Sequence, residues 1–184
     1  IASCLVGSEM CIRDRSIDNM SGQIALWNKD LKLVRFNRAY KEAADNFAVK
    51  VDLGMSFREL LSNQIKAGMF FLSSDKEKKE WLENGVKYFS ELKSETTLTY
   101  RNTNGRYAMV ADKRLDDGSI LQVISDVTHI KDQEKELKRL KDGIDNLPTA
   151  VAFWNENNEL IYSNKIQRDA QEKIGFNMEP GAKR

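Results

Sequence analysis

Side chains that could carry out chemistry are few in this sequence. It contains two cysteines, Cys4 and Cys11, and one histidine, His129. Because both cysteines lie in a segment that is excluded below, the single histidine has no cysteine partner, which argues against a zinc site. The chain also lacks a glycine-rich phosphate loop, a Gly-x-Ser-x-Gly nucleophile motif and a carboxylate pair at metal-binding spacing. We therefore predict no catalytic residue and no metal site in this chain.

Both cysteines fall in a segment that does not look native. Residues 5–15 resemble one reading frame of the transposon-derived adapter used to prepare sequencing libraries. The alternatives are a native tail or a signal peptide, but a signal peptide would need a longer apolar run behind a basic region. We treat residues 1–15 as a non-native tail and exclude them from the fold. The rest of the chain then has no thiol, which excludes disulfides and cysteine nucleophiles.

Composition is that of an ordinary soluble globular protein. Charged residues make up 31% of the chain, hydrophobic residues 41%, and the net charge is +1. So small a charge gives no field that would attract nucleic acid or anionic lipid. No apolar run approaches the ~20 residues that a membrane-spanning helix needs. We expect a cytoplasmic fragment that makes no direct membrane contact, even if its parent protein is anchored elsewhere.

An internal repeat is the most informative feature of the sequence. Residues 17–37 align without gaps onto residues 144–164, an offset of 127 residues. The residue types that recur are those of Ile17, Asp18, Asn19, Ala25, Trp27, Asn28, Leu33 and Asn37. A period this long indicates tandem domains rather than a solenoid. Asn37 and Asn164 each stand where a second strand gives way to a helix, so we interpret both as helix caps rather than catalytic residues.

The first copy continues into a complete set of strands and helices. Five strands are predicted, over residues 24–28, 33–36, 96–101, 107–115 and 120–124. Turn signals at Asn104-Gly105 and Asp117-Gly118 join the last three strands. The helices between the second and third strands are predicted to follow Asn37, to lie within residues 57–71, and to begin at the capping box Ser74–Glu77. This order predicts an α+β fold, a five-stranded antiparallel sheet with helices on one face.

This order of elements resembles the PAS family of sensory domains. The stretch 104–107, the turn Asp117-Gly118 and the segment Ser125-Asp126-Val127-Thr128 resemble the last three strands and the exit of that family. The exit motif of PAS sensors is usually Asp-Ile-Thr or Asp-Val-Thr, and its polar residues cap and anchor the outgoing helix. Residues 79–83 resemble a PAS subgroup common in alphaproteobacterial sensor kinases. The resemblance implies one PAS domain at residues 16–127 and the truncated start of a second at residues 144–184.

A linker helix is predicted between the two domains, over residues 128–143. Apolar residues at heptad spacing run along it: Ile130, Leu137, Leu140, Ile144 and Leu147, with Gln133 at the one polar position. Such a stripe can form a short two-stranded coiled coil, and the alternative is a helix packed on its own domain. The family resemblance implies a signalling helix in a parallel homodimer. A change in the first domain would enter this helix through Asp126, Val127 and Thr128.

The resemblance also bears on ligands. Flavin-adduct PAS domains need a reactive cysteine, and haem-binding ones place a histidine on the long helix before the last strands; the native part of this chain has neither. His129 does not match a phosphoacceptor, because such histidines are followed by an acidic residue. We therefore predict no identifiable cofactor. A small-molecule pocket between sheet and helices remains open, with candidate contacts at Trp27, Phe36, Tyr40, Phe57, Leu60, Tyr107 and Met109.

The functional prediction is a sensory and signal-transduction module without a catalytic domain of its own. It would sense a small-molecule or redox cue and relay it through the dimeric linker helix to a histidine kinase beyond Arg184. Two alternatives stay open: the regulatory region of a cyclic-dinucleotide synthase or phosphodiesterase, and a stand-alone PAS dimerisation scaffold. We expect a fragment, because two strands and a helix in the second copy are too few to close a stable sheet.

Overall fold

The computed structural model describes residues 17–173, 175 and 179–183. The adapter-like segment and both cysteines lie outside the described residues. The chain divides into two compact units, with the boundary between Thr128 and His129.

The first unit is built on one antiparallel sheet. Its strands are β1 (Gln23–Trp27), β2 (Leu33–Phe36), β3 (Glu95–Arg101), β4 (Tyr107–Arg114) and β5 (Ile120–Asp126). They lie in the order β2-β1-β5-β4-β3. The helices between β2 and β3 are α1 (Arg38–Asp45), α2 (Phe57–Lys66) and α3 (Asp75–Ser90). The predicted α+β fold with a five-stranded antiparallel sheet is confirmed.

The inner face of this sheet carries the core. Ala25 and Trp27 of β1 are fully buried there. They lie on the same face because every second side chain of a strand points to the same side. Tyr40 of α1, Leu60 of α2 and Phe89 of α3 belong to the same apolar cluster. All three helices therefore pack on one face of the sheet, as the sequence predicts.

The helix starts follow their capping signals. The Ser74 hydroxyl accepts a hydrogen bond from the Glu77 N–H at 3.2 Å, and the Glu77 carboxylate accepts one from the Ser74 N–H at 3.2 Å. This is the predicted capping box at the start of α3, which is confirmed. Ser56 caps α2 by accepting from the Glu59 N–H at 3.2 Å.

β1 keeps its predicted length but begins and ends one residue earlier, and Asn28 explains the earlier end. Its side-chain oxygen accepts hydrogen bonds from the N–H groups of Asp30 at 3.0 Å and Lys32 at 2.9 Å. An asparagine side chain that bonds forward in this way forms its own turn. The strand therefore ends at Trp27, and Asn28 begins the connection to β2.

Two elements near the exit of the first unit are longer than predicted. β5 extends to Asp126, because Ser125 and Asp126 still pair with β4. The outgoing helix, α4, spans Thr128–Asp145, two residues beyond the predicted end. Leu147, which the heptad pattern includes, lies after the end of this helix.

Asn37 does more than cap α1. Its Oδ1 accepts from the Tyr40 N–H at 3.0 Å, which confirms the predicted cap, and also from the Ile24 N–H at 2.9 Å. Its Nδ2 donates to the carbonyls of Ile17 at 3.1 Å and Gly22 at 2.8 Å. The residue is only 1% exposed, so these bonds are shielded from water. The side chain ties the helix start to the segment that leads into β1.

The second unit repeats this arrangement. After α4 it contains β6 (Ala152–Trp154), β7 (Leu160–Ser163) and α5 (Lys165–Glu172), and the two strands pair antiparallel. The Asn164 Oδ1 accepts from the N–H groups of Gln167 at 3.1 Å and Val151 at 2.9 Å. Its Nδ2 donates to the carbonyls of Ile144 at 3.2 Å and Thr149 at 2.7 Å. Each partner lies 127 residues after the matching partner of Asn37.

The repeat extends further than the sequence alignment. The N–H of Leu33 donates to Met55 at 2.9 Å, and the N–H of Gly54 donates back to Leu33 at 2.7 Å. At the same offset, Leu160 exchanges hydrogen bonds of 2.8 Å with the segment Gly181-Ala182. Both glycines have a positive φ, 84° in the first copy and 94° in the second. The matching backbone geometry therefore continues almost to the end of the described residues.

In the part of the chain that the structure describes, no helix is long and apolar enough to cross a membrane.

Candidate functional site

A cavity of about 280 Å³ lies in the first unit between the sheet and helices α2 and α3. This volume is just below the lower end of the range for ligand pockets, about 300 Å³, so the cavity is large enough only for a small ligand. Most of its lining is apolar or aromatic: Tyr40, Phe57, Leu60, Leu61, Phe70, Trp81, Gly85, Tyr88, Leu98, Tyr100, Val110 and Ile124. The remaining lining residues carry amide or carboxyl groups: Gln64, Asn84, Asp112 and Gln122.

The register of β4 and β5 sets the floor of the cavity. Val110 pairs with Ile124, and Asp112 pairs with Gln122, two rows apart in the ladder. All four side chains point inward, since alternate residues of a strand share a face. Asp112 is 1% exposed and Gln122 is 6% exposed. Two polar side chains therefore meet on an otherwise apolar floor.

Asp112 is the charged group of this floor. Its Oδ1 accepts from the Gln122 Nε2 at 2.9 Å, and its Oδ2 accepts from the Tyr88 hydroxyl at 3.4 Å. Burial raises the pKa of the Asp112 carboxyl, and the hydrogen bonds from Gln122 and Tyr88 oppose that rise. Both donors are neutral side chains, so neither compensates the negative charge of the carboxylate.

Two tyrosine hydroxyls add polar atoms to the cavity. Burial, with Asp112 nearby, raises the pKa of Tyr100 to about 12. Burial likewise raises the pKa of Tyr40, whose hydroxyl donates to the Gln122 Oε1 at 3.5 Å. Both phenols stay protonated at neutral pH, so the Tyr100 hydroxyl can donate a hydrogen bond to a ligand or to water, and the Tyr40 oxygen can still accept one.

Aromatic rings form one wall and the opening of the cavity. The ring centroid of Phe70 lies 5.2 Å from that of Trp81 and 5.4 Å from that of Tyr100. Trp81 is 40% exposed and Leu98 is 36% exposed. Because these exposed lining residues belong to α3 and β3, the cavity opens to solvent between those two elements.

Gly85 lets α3 approach α2 at the side of the cavity. A Cβ atom at this position would lie 2.6 Å from the Leu61 Cδ2, closer than two carbons can approach. Any larger residue would therefore push Leu61 aside. The absence of a side chain at Gly85 helps to keep this part of the cavity open.

The structure places three of the seven predicted contacts on the cavity: Tyr40, Phe57 and Leu60. Trp27 lies deeper in the core, with its ring edge-to-face against Phe57 at 5.3 Å and Phe89 at 5.6 Å between centroids. Phe36 packs against Tyr40, with a centroid distance of 6.2 Å, and does not line the cavity.

Tyr107 and Met109 were misplaced by the sequence analysis. They alternate along β4 with the inward-facing Ala108 and Val110, so strand geometry directs their side chains to the opposite face. Tyr107 instead borders a second cleft of about 330 Å³ and has the Arg101 guanidinium 5.7 Å from its ring centroid.

The polar floor was missed from the sequence. The signal is present: Asp112 follows Ala108 and Val110 at every second position of β4, and Gln122 stands between Ile120 and Ile124 in β5. Polar residues at core positions of alternating strands need partners, because an unpaired buried polar group is costly. Only the strand register shows that these two residues are each other's partner.

The exit segment, Asp126-Val127-Thr128, is hydrogen-bonded to the start of β4. The Thr128 N–H donates to the Asp126 Oδ1 at 2.9 Å, and the Thr128 Oγ1 accepts from the Tyr107 N–H at 2.9 Å. The Val127 N–H donates to the Tyr107 carbonyl at 2.9 Å, and the Arg106 Nη1 lies 3.3 Å from the Asp126 Oδ2. Hydrogen bonds from Thr128 are the main cause that lowers the pKa of Asp126. These contacts fix where α4 begins.

Helix α4 leaves its apolar stripe exposed. Ile130, Leu137 and Leu140 are 55%, 67% and 58% exposed, and Ile144 is half-buried. No residue of this helix is fully buried. His129, in its first turn, is exposed as well.

Among the described residues, no three histidine, cysteine, aspartate or glutamate side chains come together as metal ligands.

Comparison with known proteins gives a family match over the described part of the first unit and the first half of α4. A family model described as PAS fold matches residues 17–135. The solved PAS domain of Bordetella pertussis BvgS is 18% identical, with 74% of this chain and 98% of that chain covered and a TM-score of 0.46. The PAS domain of an HTR-like protein from Haloarcula marismortui is 12% identical, with 68% and 97% covered and a TM-score of 0.40.

A third solved structure, the sensor region of a sensor histidine kinase, is 12% identical, with 59% of this chain and 40% of that chain covered and a TM-score of 0.43. No curated protein matches the chain significantly. The family match covers more than half of the sequence, and the sheet order and exit motif agree with it. The chain therefore belongs to the PAS family of sensory domains.

Proposed function

We propose that this chain is the sensory region of a bacterial sensor histidine kinase. A small molecule or a redox cue changes the sheet of the first PAS domain, and α4 carries the change to a kinase C-terminal to this sequence. The region has no catalytic role of its own and works in the cytoplasm.

One observation carries the proposal: strand β5 lines the cavity and leads directly into the start of α4. Gln122 and Ile124 line the cavity, and the same strand ends at Asp126. The exit segment then ties Thr128 to Tyr107, at the start of the neighbouring strand. Because a strand is stiff along its length, a shift of the cavity floor is expected to move the point where α4 begins. This supports a relay through Asp126, Val127 and Thr128.

The exposed stripe of α4 supports a homodimer through this helix. Exposed leucine and isoleucine side chains at heptad spacing are what a two-stranded coiled coil buries. Leu137 and Leu140 are both more than half exposed. In a parallel dimer the same residues of two chains would meet, so a shift at the start of each helix would change their packing. We propose this as the way in which the signal reaches the output.

Light scattering of the purified chain tests the dimer. Leu137→Glu combined with Leu140→Glu should reduce the mass from that of a dimer to that of a monomer, because charges at core positions of a coiled coil are not tolerated. The matched control is Lys135→Glu with Lys138→Glu, which places glutamates at the same spacing at f and b positions, away from the dimer seam, and should leave the dimer intact. A mass that does not change in the leucine variant would contradict the proposal.

We further propose that residues 144–183 are the beginning of a second PAS domain. The support is the matching set of hydrogen bonds around Asn37 and Asn164. The gene sequence downstream of Arg184 tests this together with the output. We expect it to complete the second sheet and then encode a histidine-bearing helix and an ATP-binding domain. A cyclic-dinucleotide synthase or phosphodiesterase there would replace the kinase as output and leave the sensory role in place.

A further inference from the structure

We propose that the cavity of the first PAS domain binds a small organic cation, an amine or quaternary ammonium, with its charge at Asp112 and its apolar part among the aromatic rings. This inference rests on the proposed sensory function, because it names the ligand class of the same cavity.

The charge of the lining is the first argument. Among the described residues that line the cavity, Asp112 is the one ionisable acid or base other than tyrosine, and none is a lysine, arginine or histidine. A ligand with a phosphate or carboxylate group would find no positive partner and would be repelled by Asp112. The cavity therefore favours neutral or positively charged ligands.

The coordination of Asp112 is the second argument. A carboxylate can accept about four hydrogen bonds. Asp112 accepts one from Gln122 and one, at 3.4 Å, from Tyr88. A buried carboxylate without a positive partner is costly, and an incoming ammonium group would supply both the missing charge and further donors. The raised pKa of Asp112 is consistent with an uncompensated site.

The aromatic lining is the third argument. The faces of tryptophan, tyrosine and phenylalanine attract cations, and tryptophan does so most strongly. Trp81 stands at the opening, while Phe70, Tyr88 and Tyr100 line the interior. A carboxylate at the end of an aromatic passage can bind a ligand that is positively charged at one end and apolar elsewhere. A sugar or another strongly polar neutral ligand would leave most of this lining unused.

Three probes that share one apolar body separate the charge types: phenethylamine, phenethyl alcohol and phenylacetate. The full chain is titrated with each by calorimetry. We expect the amine to bind at least about tenfold more tightly than the alcohol, because a desolvated cation gains from both the carboxylate and the rings. Phenylacetate should not bind.

Two variants locate the charge. Asp112→Asn keeps an oxygen for Gln122 and places an amide near Tyr88, so it should fold; it should retain binding of the alcohol and lose the preference for the amine. Trp81→Ala removes a ring that is already exposed and should weaken the amine several-fold. An unchanged preference for the amine in Asp112→Asn would overturn the role of Asp112.

The outcomes also separate this inference from the proposed function. Tighter binding of the alcohol or of phenylacetate than of the amine overturns the cation and leaves a small-molecule sensor in place. If none of the three probes binds, the cation is overturned as the ligand, whereas the proposed function is tested separately by the mass of the leucine variant and by the downstream gene.

Discussion

Asn37 and Asn164 each bind two backbone N–H groups and two backbone carbonyls, and the partners of Asn164 lie 127 residues after those of Asn37. Serine or aspartate can cap a helix, but only a side-chain amide accepts and donates in pairs at the same time. The residue type at both positions therefore follows from the four partners and not from the cap alone.

Replacing Asn37 by alanine should lower the free energy of unfolding of the first unit by about 2–4 kcal/mol, since a cap is lost and buried backbone groups are left unpaired. Asn37→Asp should recover only part of this, because its carboxylate can accept from Ile24 and Tyr40 but repels the carbonyls of Ile17 and Gly22. Urea denaturation followed by circular dichroism measures both. Asn164→Ala is the matched control in the second unit and should leave the main transition unchanged.

Much of the fold could be predicted because its signals are local. The capping box at Ser74 and the turns at Asn104-Gly105 and Asp117-Gly118 each act within a few residues, and each marks where an element begins or ends. The repeat could be followed only as far as residue types recur. At Gly54-Met55 and Gly181-Ala182 only the glycine is shared, and the match there lies in the backbone geometry.

The cavity could be predicted only in part. The side chains that line it depend on which face of its strand each residue occupies and on how the strands are aligned. Residue type alone placed Tyr107 and Met109 in the pocket, although their positions in β4 direct both side chains to the other face. The pairing of Asp112 with Gln122 joins residues of two strands whose alignment is fixed by the whole ladder. Residue types indicate what can be buried, whereas register decides which side chains meet.

Arg114 joins the end of α3 to the turn between β4 and β5. Its guanidinium donates to the carbonyls of Leu92 at 2.5 Å, Ser90 at 2.9 Å and Gly118 at 2.9 Å. Arg114→Lys keeps the charge but cannot reproduce the planar set of donors. We expect it to lower the free energy of unfolding by about 1–3 kcal/mol, as measured by urea denaturation.

The neighbouring Lys113 provides the control for that substitution. It is exposed, and its Nζ lies 3.8 Å from the Glu95 carboxylate. Lys113→Arg makes the reverse exchange next to Arg114 and should change stability by less than about 0.5 kcal/mol. Equal effects of the two exchanges would show that the bonds to the backbone carbonyls do not stabilise the fold.

The exit segment predicts a local effect on hydrogen exchange. Thr128→Val has nearly the same shape but removes the Oγ1 that accepts from the Tyr107 N–H. Valine also loses the side-chain bond to Asp126, but the loss of the bond to the Tyr107 N–H, about 1 kcal/mol, should by itself speed exchange of that amide about fivefold if local opening governs it. Thr128→Ser keeps the acceptor and should exchange as the unaltered protein does. Equal rates in the valine and serine variants would contradict a role for this bond.

Asp112 predicts how stability depends on pH. Because burial raises its pKa in the folded state, the folded chain binds more protons than the unfolded chain at pH values between the two pKa values. The free energy of unfolding should therefore fall as pH rises through that interval, and above it the cost of the buried carboxylate is fully present.

In Asp112→Asn that cost is absent, so its Tm should exceed that of the unaltered protein at neutral pH. The gap should close as pH falls below the ordinary aspartate pKa of about 3.9. Differences in Tm between the two proteins, measured from about pH 3 to about pH 8, cancel the titration of the shared groups. A Tm difference that stays constant over this range would mean that the buried Asp112 carboxylate does not destabilise the fold. The surroundings of Asp112 would then be more polar than the residues lining the cavity indicate.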